Sequence, residues 1–113
     1  MRKIGDLQLF KADFFRALGN PQRIRILEEL GTHERGVNEL QRLLEMPQSV
    51  ISQHLAILRG HHLVSAEKRG ASAIYSLRDP LILELLSTAR RIFENRIADQ
   101  STMLRVLGGK KGR

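Results

Sequence analysis

Along most of this chain apolar residues recur at steps of three and four, the spacing of one helix face, and the interruptions are sharp. Leu7, Phe10, Phe14, Phe15 and Leu18 predict a first helix over 6–18, which Asp6 can cap. Gly19-Asn20-Pro21 breaks it, because asparagine is a favoured N-cap and proline a favoured first-turn residue. A second helix then runs over 21–30, burying Ile24, Leu27 and Leu30, and Gly31 ends it. Beyond a polar loop at 32–36, a third helix near 37–45 turns Val37, Leu40, Leu43 and Leu44 inward. Met46-Pro47 forms the turn into a fourth helix over 48–60, with Pro47 suited only to its first turn. Asp79-Pro80 opens a long last helix that reaches about residue 105.

The fourth helix carries two unlike faces. Ile51, Leu55 and Leu58 make the apolar one. Gln48, Ser49, Ser52 and Gln53 lie away from it, uncharged donors and acceptors of the kind that read base edges in the major groove. Directly afterwards, 64–67 and 73–77 read as two strands around Lys68-Arg69-Gly70-Ala71-Ser72. Gly70 supplies the backbone freedom of a tight turn, and Lys68 and Arg69 put charge at its tip. A polar helix running into a cationic hairpin is the layout of a winged helix-turn-helix: mainly α with a small β-hairpin, five helices plus a wing.

Each feature alone has an ordinary reading. The polar residues could be a solvated helix face, Lys68 and Arg69 a charged loop tip, and Arg59 a charge favourable to the helix dipole. Side by side they point to duplex DNA, with Arg59, Lys68 and Arg69 on phosphate or in the minor groove and His54 on the DNA side of the helix or at its edge. Arg23 and Arg25 are instead expected to pair with Glu28 and Glu29 at helical spacing. Phe10, Phe14 and Phe15 share a stripe with Leu7 and Leu18, which makes them core or dimer packing. With one tyrosine and no tryptophan, single-strand binding by base stacking is not expected.

Composition narrows the field further. A chain of 113 residues is expected to form one DNA-binding and dimerisation domain over 1–107, followed by a flexible, basic, glycine-rich tail over 108–113. The formal charge of +7 fits a polyanionic partner. The absence of cysteine excludes disulfides, thiolate metal sites and thiol redox sensing. No phosphate-binding glycine loop, HExxH or cysteine nucleophile is present, and Ser52 and His54 point to different sides of their helix, so no enzymatic role is expected. The first residues, MRKIGDLQLF, are charged again too soon for a signal peptide, and no run of about 18 apolar residues exists. The cytoplasm is the expected location, without membrane attachment.

The last helix argues for a homodimer. About 26 residues at 1.5 Å each give roughly 39 Å. Its stripe of Leu81, Ile82, Leu85, Leu86, Ala89, Ile92, Phe93, Ile97, Met103 and Leu104 is longer than a small three-helix body covers. The first helix and a second copy are the natural partners. A two-fold dimer would set two reading helices in successive major grooves, about 34–36 Å apart.

The segments FKADFFRALGNPQRIRILEEL, SQHLAILR and YSL, in this order and spacing, resemble the ArsR/SmtB family, and the resemblance spans about residues 10–100. Those proteins are small homodimeric winged-helix repressors, many of them metal sensors. The resemblance therefore implies a sequence-specific repressor on an inverted repeat. It also allows the family's metal sites to be checked. The cysteine-pair positions at the start of the third helix fall on Gly36 and Asn38, with Gln41 nearby. The last-helix positions fall on Asp79, Leu81, Ile92 and Asn95, of which only the aspartate matches, and it reads better as an N-cap beside Pro80. DNA binding without a transition metal or other cofactor is thus expected, and any effector would be a small apolar ligand at the interface of the last and first helices, or a partner protein. Four histidines remain: His33, His54, His61 and His62. The adjacent pair reads as a polar turn, yet with Glu67 or across a dimer it leaves open a nickel or zinc site. A winged-helix module that binds protein is the other alternative.

Overall fold

The computed structural model describes residues 4–108. The elements are α1 (Asp6–Leu18), α2 (Pro21–Thr32), β1 (Arg35–Gly36), α3 (Val37–Leu44), α4 (Gln48–Gly60), β2 (Val64–Arg69), β3 (Ser72–Leu77) and α5 (Leu81–Gly108). Five helices and a hairpin thus stand where the sequence puts them. The addition is β1, two residues that pair antiparallel with β3 and make a three-stranded sheet of order β1-β3-β2. The chain divides into two compact units, up to Leu83 and from Glu84 onward. The expected tail lies, beyond Gly108, outside the described residues.

In the first unit the core forms where α2, α3 and α4 meet the foot of the hairpin. Ile26, Leu27, Leu40, Ile51, Leu55, Leu58, Leu63 and Val64 are fully buried. Ile26 takes the core position expected of Ile24, which is half-buried. On α3, Leu40 and Leu44 are one turn apart and define the buried row; Leu43 flanks that row and is exposed, and Val37 is half-buried.

Several helix ends differ from the expectation for local reasons. Gly5, not Asp6, caps α1: its N–H donates to Gln8 Oε1 at 2.8 Å, and Asp6 sits in the first turn, where a carboxylate suits the helix dipole. Asn20 caps α2 as expected, its Oδ1 accepting from the N–H groups of Gln22 and Arg23 at 2.9 and 3.1 Å. Gly31 does not end α2, which continues to Thr32. The glycine serves a close approach, since a Cβ there would lie 2.6 Å from Leu83 Cδ1. Pro47 stands one place earlier than expected, as the N-cap of α4, its carbonyl accepting from Val50 and Ile51 at 3.1 Å.

Arg23 and Arg25 do not pair with Glu28 and Glu29. Arg23 Nε donates to the Ala17 carbonyl at 2.6 Å at the end of α1, and Arg25 Nη2 to the Leu44 carbonyl at 3.1 Å at the end of α3. The last carbonyls of a helix have no partner inside it and carry the negative end of its dipole, so they compete well for a guanidinium.

Among the described residues two non-glycine residues adopt left-handed backbone, and both shape α4. Glu45, with φ 54°, makes the turn from α3, while Met46 N–H bonds to the Gln41 carbonyl at 3.3 Å. His62, with φ 60°, closes the other end: its N–H bonds to Arg59 O at 3.1 Å and that of Leu63 to Leu58 O at 2.9 Å. This is a Schellman ending, and the leucines at its two flanking positions, Leu58 and Leu63, are both buried. The His61-His62 pair is thus the polar turn its sequence suggests. Asp79 caps α5, its Oδ1 accepting from Leu81 N–H at 2.9 Å.

Candidate nucleic-acid interface

Burial of Ile51, Leu55 and Leu58 fixes which side of α4 faces outward. Gln48, Ser49, Ser52 and Gln53 are all exposed. At 100° per residue they share an arc of about 140°. Three further residues lie within that arc and are exposed: Ala56, Arg59 and Gly60. Ala56 was not singled out by sequence reasoning, although its place four residues after Ser52 is the signal that finds it. A small methyl group is of the kind that can pack on the 5-methyl of thymine.

His54 falls outside this arc, on the flank towards α2. Its Nε2 lies 2.9 Å from Gln22 Oε1, and its Nδ1 is buried without a partner. Burial, and then the charge of Arg23, lower its pKa below the ordinary 6.5. A neutral ring donating from Nε2 leaves only an idle acceptor inside; a protonated ring would bury an unpaired N–H. The unfolded chain therefore takes up this proton first as pH falls, and stability present above pH 6.5 is lost as pH drops through the folded-state pKa. We expect the urea midpoint of the wild type to fall more between about pH 7.5 and 5.5 than that of a His54→Gln variant, which keeps a partner for Gln22 but does not titrate. Equal losses would show that His54 is not the source.

The hairpin loop is shorter than expected. Lys68 pairs with Ala73 and Arg69 with Ser72, so both cations belong to β2, and only Gly70-Ala71 form the loop, with Gly70 at φ 64°. Two residues suffice because glycine accepts that backbone at the first loop position. Lys68 is exposed. Arg69 is engaged: Nη1 and Nη2 reach the two carboxylate oxygens of Glu34 at 2.5 and 3.2 Å, and Nη2 also reaches Glu67 at 3.2 Å. The bonds to Glu34 first, and then to Glu67, hold the guanidinium still more firmly protonated.

Arg35 anchors the base of the sheet, although in sequence it stands in no more than a polar loop. Only 17% exposed in its side chain, it donates to Glu29 at 3.1 Å, to Thr32 at 3.1 Å and to Glu39 at 3.3 Å. It thereby ties α2 and α3 to the strand that pairs with the wing.

Among the described residues, no group of three or more histidine or acidic side chains is placed to hold a metal ion. His61 and His62 line a cleft of about 260 Å³ with Phe10, Asp13, Phe14 and Gly60, while Glu67 is turned to Arg69. His33 is exposed at the end of α2. No helix among the described residues is long and apolar enough to cross a membrane.

Comparison with known proteins agrees with this geometry. Residues 20–66 match the profile of the bacterial regulatory protein, arsR family. The uncharacterized HTH-type transcriptional regulator Rv0081 of Mycobacterium tuberculosis is 39% identical over 87% of each chain. Its crystal structure superposes with a TM-score of 0.80, covering 87% of this chain and 99% of that one. HlyU from Vibrio cholerae, 30% identical, superposes with a TM-score of 0.71 over 80% of this chain and 98% of its own. A Mycobacterium bovis fragment described as a homodimeric winged helix-turn-helix DNA-binding domain shares the fold at 24% identity and a TM-score of 0.75, covering 86% of this chain and 94% of that fragment. The ArsR/SmtB resemblance and the winged helix-turn-helix expectation are therefore borne out, and the chain belongs to the ArsR family of bacterial transcriptional regulators.

Proposed function

We propose that the chain is a homodimeric repressor that recognises an inverted-repeat operator in cytoplasmic duplex DNA and needs no transition metal to do so. The observation that carries the reading is the exposed row of Gln48, Ser49, Ser52 and Gln53 on a helix whose other side is fully buried, next in sequence to the wing. The row, with Ala56, reads bases; Arg59 and Lys68 contact phosphate, and Arg69 does so once released from its carboxylates. His54 acts at the edge, fixing α4 against α2. Residues 1–107 serve as one DNA-binding and dimerisation unit with no catalytic role.

Dimerisation is supported by apolar surface that a single chain leaves uncovered. On α1, Leu7, Phe10 and Phe15 are exposed; on α5, Ile92, Phe93, Ile97, Met103 and Leu104 are exposed. Surface of this kind marks a contact with another protein, and a second copy covers it with like against like. Metal independence is supported by the residues at the family's ligand positions: Gly36, Asn38, Leu81, Ile92 and Asn95 offer neither thiolate, imidazole nor carboxylate, and the one match, Asp79, caps α5. Any effector would then be a small apolar ligand or a partner protein.

Protein stripped of metal and held in excess chelator should bind duplex DNA undiminished, with affinity falling linearly in log–log form as salt rises, by about 0.9 per phosphate neutralised. Loss of binding in chelator, or release by stoichiometric nickel or zinc, would overturn metal independence and direct attention to His61 and His62.

A further inference from the structure

We propose that Glu34 sets the DNA affinity of the wing by withholding Arg69 from phosphate. The inference rests on the DNA-binding reading above and adds to it a residue outside both the reading helix and the hairpin. Arg69 is the last residue of β2, opposite Ser72 and adjoining the hairpin loop, at the end of the wing that meets a DNA backbone in this class of fold. Both of its terminal nitrogens are already committed, two contacts going to Glu34 and one to Glu67. Glu34 is thirty-five positions away in sequence and reaches the wing only because β1 docks on β3.

The charges decide the consequence. Two carboxylates face one guanidinium, so the cluster is net negative by one, and Lys68 brings the wing to neutrality although the chain as a whole carries +7. A phosphate approaching Arg69 must displace carboxylates of its own sign. Exposed pairs of this type are weak enough to be displaced, and both Arg69 and Glu34 are half-exposed. The restraint therefore lowers affinity without abolishing the contact. Because a phosphate contact carries no base information, affinity changes equally on every sequence.

The test uses a random-sequence duplex of about 30 base pairs, long enough for two half-sites one turn apart, and the full chain. Glu34→Gln should tighten binding about three- to tenfold at low salt and steepen the salt dependence by about 0.9, the share of one further phosphate. Glu67→Gln, which removes one contact and not two, should give a smaller gain. In an Arg69→Ala background the gain from Glu34→Gln should disappear, which separates release of Arg69 from simple loss of a negative charge. Unchanged or weaker binding by Glu34→Gln, or a gain that persists without Arg69, would overturn the proposal while leaving DNA binding intact. Failure of the wild type itself to bind any duplex would overturn the parent reading, and this inference with it.

Discussion

Replacing Ser52 and Gln53 together with alanine should yield a protein that still binds duplex DNA but has lost its preference for the operator. Both side chains are exposed on α4, and neither touches the core formed by Ile51, Leu55 and Leu58. Alanine is the better helix former at each position, so the fold is unharmed. What disappears is direct base readout, about 1–3 kcal/mol for each lost contact, or roughly 5- to 150-fold in discrimination. Arg59 and Lys68 remain, so non-specific affinity and its salt slope should barely move. Competition between operator and random duplex measures the ratio directly. A double variant that keeps the wild-type ratio would mean that α4 is not the reading helix.

Aspartate at Phe93 and Ile97 should give a folded monomer with weak operator binding. In the single chain these side chains are 60% and 62% exposed, so the first unit's core loses nothing. A dimer built on this face covers them, and burying two carboxylates on each chain is costly. A monomer holds one half-site instead of two. The second half-site then no longer binds as an intramolecular event, and affinity falls by about 10²- to 10⁴-fold. Light scattering reports the mass, circular dichroism the fold, and titration the affinity. A variant that remains dimeric would place the interface elsewhere.

What could be read from sequence follows from how local each cause is. Helix periodicity and the breaks at Gly19-Asn20-Pro21 and Asp79-Pro80 act within a few residues, so the helices and both faces of α4 were legible. β1 was not. Arg35 and Gly36 have no strand pattern of their own; they pair because β3 offers a free edge and Glu29, Glu39 and Thr32 fix Arg35. The engagement of Arg69 by Glu34 is equally invisible, since thirty-five residues separate the two. Helical spacing suggested Glu28 and Glu29 as partners of Arg23 and Arg25, but helix ends brought close by the fold outcompeted them. Gly31 shows a different limit: a glycine that ends a helix and one that admits Leu83 look alike in sequence. So do a five-residue and a two-residue hairpin loop, which is why Lys68 and Arg69 moved from tip to strand.

The most direct test of the central claim is selection from a random duplex library with metal-free, full-length protein. The account predicts enrichment of an inverted repeat whose half-sites lie one helical turn apart, about 10 base pairs centre to centre, occupied by two chains. It also predicts that the Ser52→Ala, Gln53→Ala double variant enriches that repeat poorly or not at all. No enriched sequence, or the same repeat recovered equally well by the double variant, would contradict it.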